Sequence, residues 1–223
     1  MRKLNPELKH KDIAPYLQPG KTLDIGFVGL PNRTTPNLYG IDIVEMPKDQ
    51  LPPNYVETHV VDLNVAPIPY LDMWFDNVLA GDVIEHVANP LALLGEANRV
   101  LKPGGIIVVS TPNPYYYWEF MQDMFVNLPA MRARQEEHFS SFTRINMRTI
   151  LKRMGFELIA ERGVFFTLIL LKWQFHLKRC PFLAFQISYV AKKIGAPSEF
   201  IINKNYDGTA HRTATRLGFV GPQ

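Results

Sequence analysis

This chain of 223 residues has a single cysteine, Cys180, so no disulfide can form within it, and a reducing, cytoplasmic compartment is the expectation. Long apolar runs are scarce. The longest candidate, Val164 to Leu171, is stopped by Lys172, short of the roughly 20 apolar residues needed to span a bilayer. The first residues, Met1 to His10, have no apolar core and do not resemble a secretory signal. A strong charge of one sign is also lacking. Lys and Arg number 24 against 21 Asp and Glu, a net charge of +3 with no continuous basic run, so a small molecule is a better expected partner than nucleic acid. There is no Gly-x-Gly-x-x-Gly fingerprint, which counts against a nicotinamide-dependent oxidoreductase. With 47% hydrophobic and 20% charged residues, the composition is globular, and the length suits one domain over 1–223 with a substantial core.

What is present begins at Lys21-Thr-Leu-Asp-Ile-Gly-Phe-Val-Gly-Leu30, followed by Tyr39-Gly-Ile-Asp-Ile43. Leu23 to Ile25 suit a buried parallel strand, and Gly26 with Gly29 supply a turn where backbone can approach a ligand closely. Leu38 to Val44 suit the neighbouring strand. Its Asp42 falls near the carboxyl end, where open α/β sheets bind ligands and an acidic side chain can accept from both ribose hydroxyls.

With these segments, Phe75 to Val87 and Glu96 to Pro112 (which includes Lys102-Pro-Gly-Gly105), the chain resembles the class I S-adenosylmethionine-dependent methyltransferases, a group with a Leu-Asp-Ile-Gly first motif. The resemblance covers Lys21 to Pro112 and says nothing of the methyl acceptor. It implies an α/β, Rossmann-like seven-stranded mixed sheet flanked by helices, with S-adenosylmethionine as cofactor. By resemblance Asp24, Gly26 and Gly29 surround the methionine portion, Asp42 and Ile43 hold the ribose and flank the adenine, Asp62 and Leu63 meet the adenine edge, and Gly81 and Asp82 line the methionine side. One departure stands out. The family's second glycine is replaced by Val28, whose branched side chain disfavours positive φ, so either Gly29 compensates or the loop fits the cofactor less well.

Strands are expected near 22–26, 38–43, 57–62, 75–80 and 105–110, a helix from Pro90 to before Lys102, and little helix in the proline-broken connection Leu30 to Asn37. Past a lead of 1–20, the acceptor-side or interface segments are placed at 112–145 and 168–210. Asn146 is the expected cap of a helix over Met147 to Met154, Gly155 to Ala160 a sixth strand, and Thr213 to Val220 the last. Between them, Leu168 to Lys193 has the pattern of one or two amphipathic helices broken near Pro181, a helical insertion before the last strand. Such helices would pack on the sheet or across a homodimer, or, given Lys172, Trp173, Phe175, Lys178, Arg179, Lys192 and Lys193, lie on a membrane surface.

For chemistry, His86 and His138 are the candidate bases, since a near-neutral imidazole suits proton abstraction from an acceptor hydroxyl. Each assignment has a plainer rival: His86 could pack and orient its loop, Asp24 could bond to backbone, and Asp62 with Asn64 could cap a turn. Tyr115, Tyr116, Tyr117 and Trp118 could bind an acceptor or close the core. Asp82, Glu85 and His86 carry donors like those of the divalent site in some quinone-pathway O-methyltransferases, but neighbours in sequence need not converge, and no metal is assigned. The expected function is methyl transfer to a small-molecule or lipid-linked acceptor, with oxygen favoured. The rival is a non-catalytic protein of the same fold that acts through partners, which Val28 and the proline-rich first connection motivate.

Overall fold

The computed structural model describes residues 7–116, 140–168, 173–176 and 179–198. The strands are β1 (Thr22–Ile25), β2 (Leu38–Asp42), β3 (Tyr55–Val60), β4 (Phe75–Gly81), β5 (Leu101–Pro112), β6 (Phe156–Gly163), β7 (Phe166–Leu168), β8 (Trp173–Phe175) and β9 (Gln186–Lys193). All but the β7–β8 hairpin form one sheet in the order β3-β2-β1-β4-β5-β9-β6. β1 to β5 are parallel, and β9 runs antiparallel between β5 and β6. Strand order reverses at β1, which lies between β2 and β4, and that is where an open α/β sheet leaves a crevice beyond its carboxyl ends.

Three α-helices are described: α1 (Leu8–Ile13), α2 (Pro90–Val100) and α3 (Arg144–Arg153). Pro90 opens α2, and the Asn89 side chain accepts from Ala92 N at 3.1 Å. At its far end Lys193 Nζ donates to the carbonyls of Asn98 and Leu101 at 2.6 and 2.7 Å, a cation on free helix-end acceptors. α2 and α3 cover one sheet face, where Leu94, Ala97, Met147 and Leu151 pack with Leu23, Ile41, Val78 and Ile107. α1 covers the other, with Ile13 against Leu79, Val108 and Val190.

Several expectations need correcting. The described residues of Leu168 to Lys193 hold no α-helix where a helical insertion is expected: they form the paired strands β7 and β8, a short 3-10 turn (Pro181–Leu183) and β9. Gln186 to Ala191 are all buried, because a central strand is covered on both faces and its continuous apolar run mimics a buried helix. The cap of α3 is Thr143, whose Oγ1 accepts from Asn146 N at 3.1 Å, so the helix starts at Arg144 rather than after Asn146. The crossovers 26–37, 43–54 and 61–74 contain no α-helix. Thr213 to Val220 lies outside the described residues.

Candidate functional site

The first turn is built from β1 and β2 together. Gly26 N donates to Ile41 O at 2.8 Å, and Gly26 has φ +73. A Cβ there would lie 2.2 Å from Val83 Cγ2, so glycine is required both for the backbone and for the close approach of the turn after β4. Asp42, at the tip of β2, ties the loop down: Oδ2 accepts from Val28 N at 2.8 Å and Oδ1 from Val44 N at 3.2 Å. Below it, Tyr55 donates to Asp24 Oδ2 at 2.5 Å and accepts from Asn32 N at 2.9 Å. Burial pushes the Asp24 carboxyl up to about 6, against the opposing pull of the Tyr55 hydroxyl and Lys9.

These elements open into a cleft of about 290 Å³ lined by Ile25, Gly26, Ile41, Asp42, Ile43, Val61, Asp62, Leu63, Asn64, Asp82, Val83, His86 and Val87. Gly26, Asp42, Ile43, Asp62, Leu63, Asp82 and His86 of the expected site are thus brought to one place. Asp24, Gly29 and Gly81 are not on its wall. Asp24 is buried beneath, Gly29 is exposed with negative or extended φ and open space around it, and Gly81 faces the Lys9 ammonium. Asp62 also caps its own turn, Oδ1 accepting from Asn64 N at 2.9 Å, and Asn64 Oδ1 accepts from Ala88 N at 2.8 Å to join two walls of the cleft.

At the β4 end, Asp82 sits at φ +57, a left-handed conformation that costs a non-glycine residue about 1 kcal/mol or more. Three elements hold it: Lys9 Nζ from α1 reaches Oδ2 at 2.9 Å, while Ser110 Oγ of β5 donates to Oδ1 at 3.1 Å and Gln186 Nε2 of β9 donates to the same oxygen. Burial by itself would raise this carboxyl; Lys9 and the three hydrogen bonds outweigh it and hold it below the usual range. Glu85 is 1% exposed, and among the described residues neither carboxyl oxygen has a partner at hydrogen-bond geometry, Thr111 being the nearby hydroxyl. Burial and then Asp82 push the Glu85 carboxyl up to about 8. His10 beside Lys9 is brought down to about 4 by burial and by Lys9.

The sequence profile of the methyltransferase-domain family matches residues 19–161. The chain belongs to the class I S-adenosylmethionine-dependent methyltransferases. Among curated relatives, a ubiquinone biosynthesis O-methyltransferase of Dinoroseobacter shibae is 31% identical over 101 residues, 44% of this chain and 41% of the relative. One of the same name from Bradyrhizobium is 59% identical over 39 residues, 18% of this chain and 15% of that one. The chain therefore aligns with less than half the length of these relatives. Among solved structures, an S-adenosylmethionine-dependent methyltransferase from Thermotoga maritima superposes with a TM-score of 0.62 at 17% identity, covering 84% of this chain and 87% of that one. The Burkholderia thailandensis 1,6-didemethyltoxoflavin-N1-methyltransferase, which holds S-adenosylhomocysteine, gives 0.53 at 14%, covering 85% and 79%.

The residues of this methyltransferase fit its cofactor. Gly26 puts bare backbone on the cleft wall, and each Asp42 oxygen, with one backbone donor, keeps acceptor capacity for a ribose diol. The Val28 departure is absorbed by the loop. Its φ is not positive, and its side chain packs against Phe27, Leu38 and Tyr55 instead of lining the cleft. A metal does not fit in the same way. Asp82 is already held by Lys9, Ser110 and Gln186, and among the described residues no three His, Cys, Asp or Glu side chains converge. His138, Tyr117 and Trp118 lie outside the described residues. Tyr116 is core, edge-on to Phe166 and Phe185, and Tyr115 is exposed. Lys9, Tyr55, Ser110 and Gln186 escaped the sequence reading. No local motif marks them, and Lys9 sits in a lead that reads only as polar.

Proposed function

We propose that this methyltransferase transfers the methyl group of S-adenosylmethionine to an oxygen of a small-molecule acceptor. Its acceptor would be a ring hydroxyl of the quinone-pathway kind, free or lipid-linked. The observation that carries the reading is the cleft at the strand-order reversal, which Gly26, Asp42, Asp62, Asp82 and His86 line together. The names of the curated relatives support the choice of oxygen.

In this reading Asp42 accepts from the ribose hydroxyls, Ile43 and Leu63 flank the adenine, and Asp62 uses its remaining acceptor capacity at the adenine edge. Gly26 lets the loop close on the cofactor, and Asp82 faces the methionine portion. Bound S-adenosylmethionine supplies an electrophilic methyl group on a sulfonium. The chain has mainly to hold the acceptor oxygen in line with that methyl and to take up the proton released. The second task is assigned to His86, a reading supported by its position on the cleft wall. Val28, packed away from the cleft, gives the non-catalytic rival no support.

The test is transfer of an isotopically labelled methyl group from S-adenosylmethionine to a panel of dihydroxy-aromatic and aromatic amine acceptors, with products identified by mass spectrometry. Methyl ethers, reduced at least tenfold by His86→Ala, are the expected result. Label found only on nitrogen would overturn the oxygen assignment, and no transfer to any acceptor would overturn the activity.

A further inference from the structure

Asp82 is supported by residues that the family's sequence profile does not reach. Lys9 and Gln186 both fall outside the matched residues 19–161, yet they meet on this carboxylate from 73 residues before it and 104 after it. The lysine is built in. Its side chain is 8% exposed, and a Cβ on Gly81 would come within 3.1 Å of its Nζ, so the glycine leaves the room that the ammonium occupies. The neighbouring titratable groups add little charge at neutral pH. Burial and then Asp82 push Glu85 up, and burial and then Lys9 bring His10 down, so both favour their neutral forms. The fixed charge at the β4 end of the cleft is therefore one carboxylate neutralised by one ammonium.

That balance matters for a cofactor whose reactive end changes charge. With the ribose on Asp42, the sulfur end of the ligand runs along the cleft toward Asp82 and Val83. S-adenosylmethionine carries a positive sulfonium there, and the product S-adenosylhomocysteine carries a neutral thioether. Resting on the cofactor reading above, we propose that Lys9 is a specificity-determining residue. By neutralising Asp82 it keeps the site from holding the sulfonium cofactor much more tightly than the thioether product.

The two members of the pair must then act in opposite directions. Lys9→Met leaves an unpaired carboxylate, which favours the cation. Asp82→Asn leaves an unpaired ammonium, which disfavours it. At several ångströms through partly buried protein, each charge change is expected to move the ratio of the two dissociation constants by about fivefold or more. A purely structural role would weaken both ligands together, leave their ratio alone and give both variants the same sign.

The experiment is calorimetric titration of S-adenosylmethionine and S-adenosylhomocysteine into wild type, Lys9→Met and Asp82→Asn, with thermal melting as a check of folding. The expected result is a rise in Kd(S-adenosylhomocysteine)/Kd(S-adenosylmethionine) for Lys9→Met and a fall for Asp82→Asn. Ratios within twofold of wild type, or shifted the same way in both, overturn the proposal while leaving the cofactor site standing. Failure of folded wild type to bind either ligand overturns the site itself. If Lys9→Met does not fold, the sign of the Asp82→Asn shift decides alone.

Discussion

Replacing Glu85 with glutamine removes a titrating group from the interior while nearly keeping its shape, and the structure sets both sign and size of the effect. The carboxyl is raised from an ordinary 4.5 to about 8 by burial and by Asp82. The folded protein therefore binds a proton that the unfolded chain releases between those values. Stability from this group is fully present below pH 4.5, falls as pH rises through the window, and is lost by about pH 8. At about 1.4 kcal/mol per pH unit, the whole window is worth at most about 5 kcal/mol, and the stretch from pH 6 to 8 about 2–3 kcal/mol. Glu85→Gln does not titrate, so the wild type should lose about 2–3 kcal/mol relative to the variant over that stretch. This corresponds to roughly 1 M in the urea midpoint. The assay is urea unfolding of both proteins at pH 6, 7 and 8, where Asp24 and other groups common to both cancel in the difference. Parallel pH dependences would refute the reasoning, because Glu85 would then not be a buried protonated acid.

The glycines of the first turn should separate cleanly. Gly26→Ala meets Val83 Cγ2 and a positive φ, so it should cost about 2 kcal/mol in denaturant unfolding and abolish cofactor binding, whereas Gly29→Ala, with open space around it, should stay within about 0.5 kcal/mol of wild type and bind normally. Val28→Gly restores the family's usual glycine but removes a side chain packed on Phe27, Leu38 and Tyr55. It should leave the S-adenosylmethionine affinity unimproved and lower stability by about 1–2 kcal/mol; tighter binding in a calorimetric titration would contradict the loop geometry.

Much of the sheet was legible because its strands are short apolar runs punctuated by glycine and proline: β1, β2 and β4 begin or end within a residue or so of expectation, and Pro90 with Lys102-Pro-Gly-Gly105 brackets α2. β9 was missed. Its partners β5 and β6 are distant in sequence, and a strand buried on both faces has no alternation to betray it. The cap of α3 was misplaced by three residues because Thr143 and Asn146 are both good cap types and only tertiary placement chooses between them. The residues that line the cleft from strand tips could be located from local pattern, since a parallel strand delivers its carboxyl end to the crevice whatever the rest of the chain does. Asp24 and Gly81 are one position off the wall, where turn geometry rather than spacing decides. Lys9, Tyr55 and Gln186 act on the site across 73, 31 and 104 residues, separations that no local motif encodes.

The central claim is that the cleft beyond β1, β2 and β4 binds the cofactor with Asp42 on its ribose, and isothermal titration of S-adenosylmethionine and S-adenosylhomocysteine into wild type and Asp42→Ala tests it most directly. The account predicts wild-type binding on the order of micromolar and at least about tenfold weaker binding by a variant that still melts cooperatively, as expected for the loss of a charged acceptor. Absence of binding by the folded wild type, or affinity unchanged in Asp42→Ala, would contradict it.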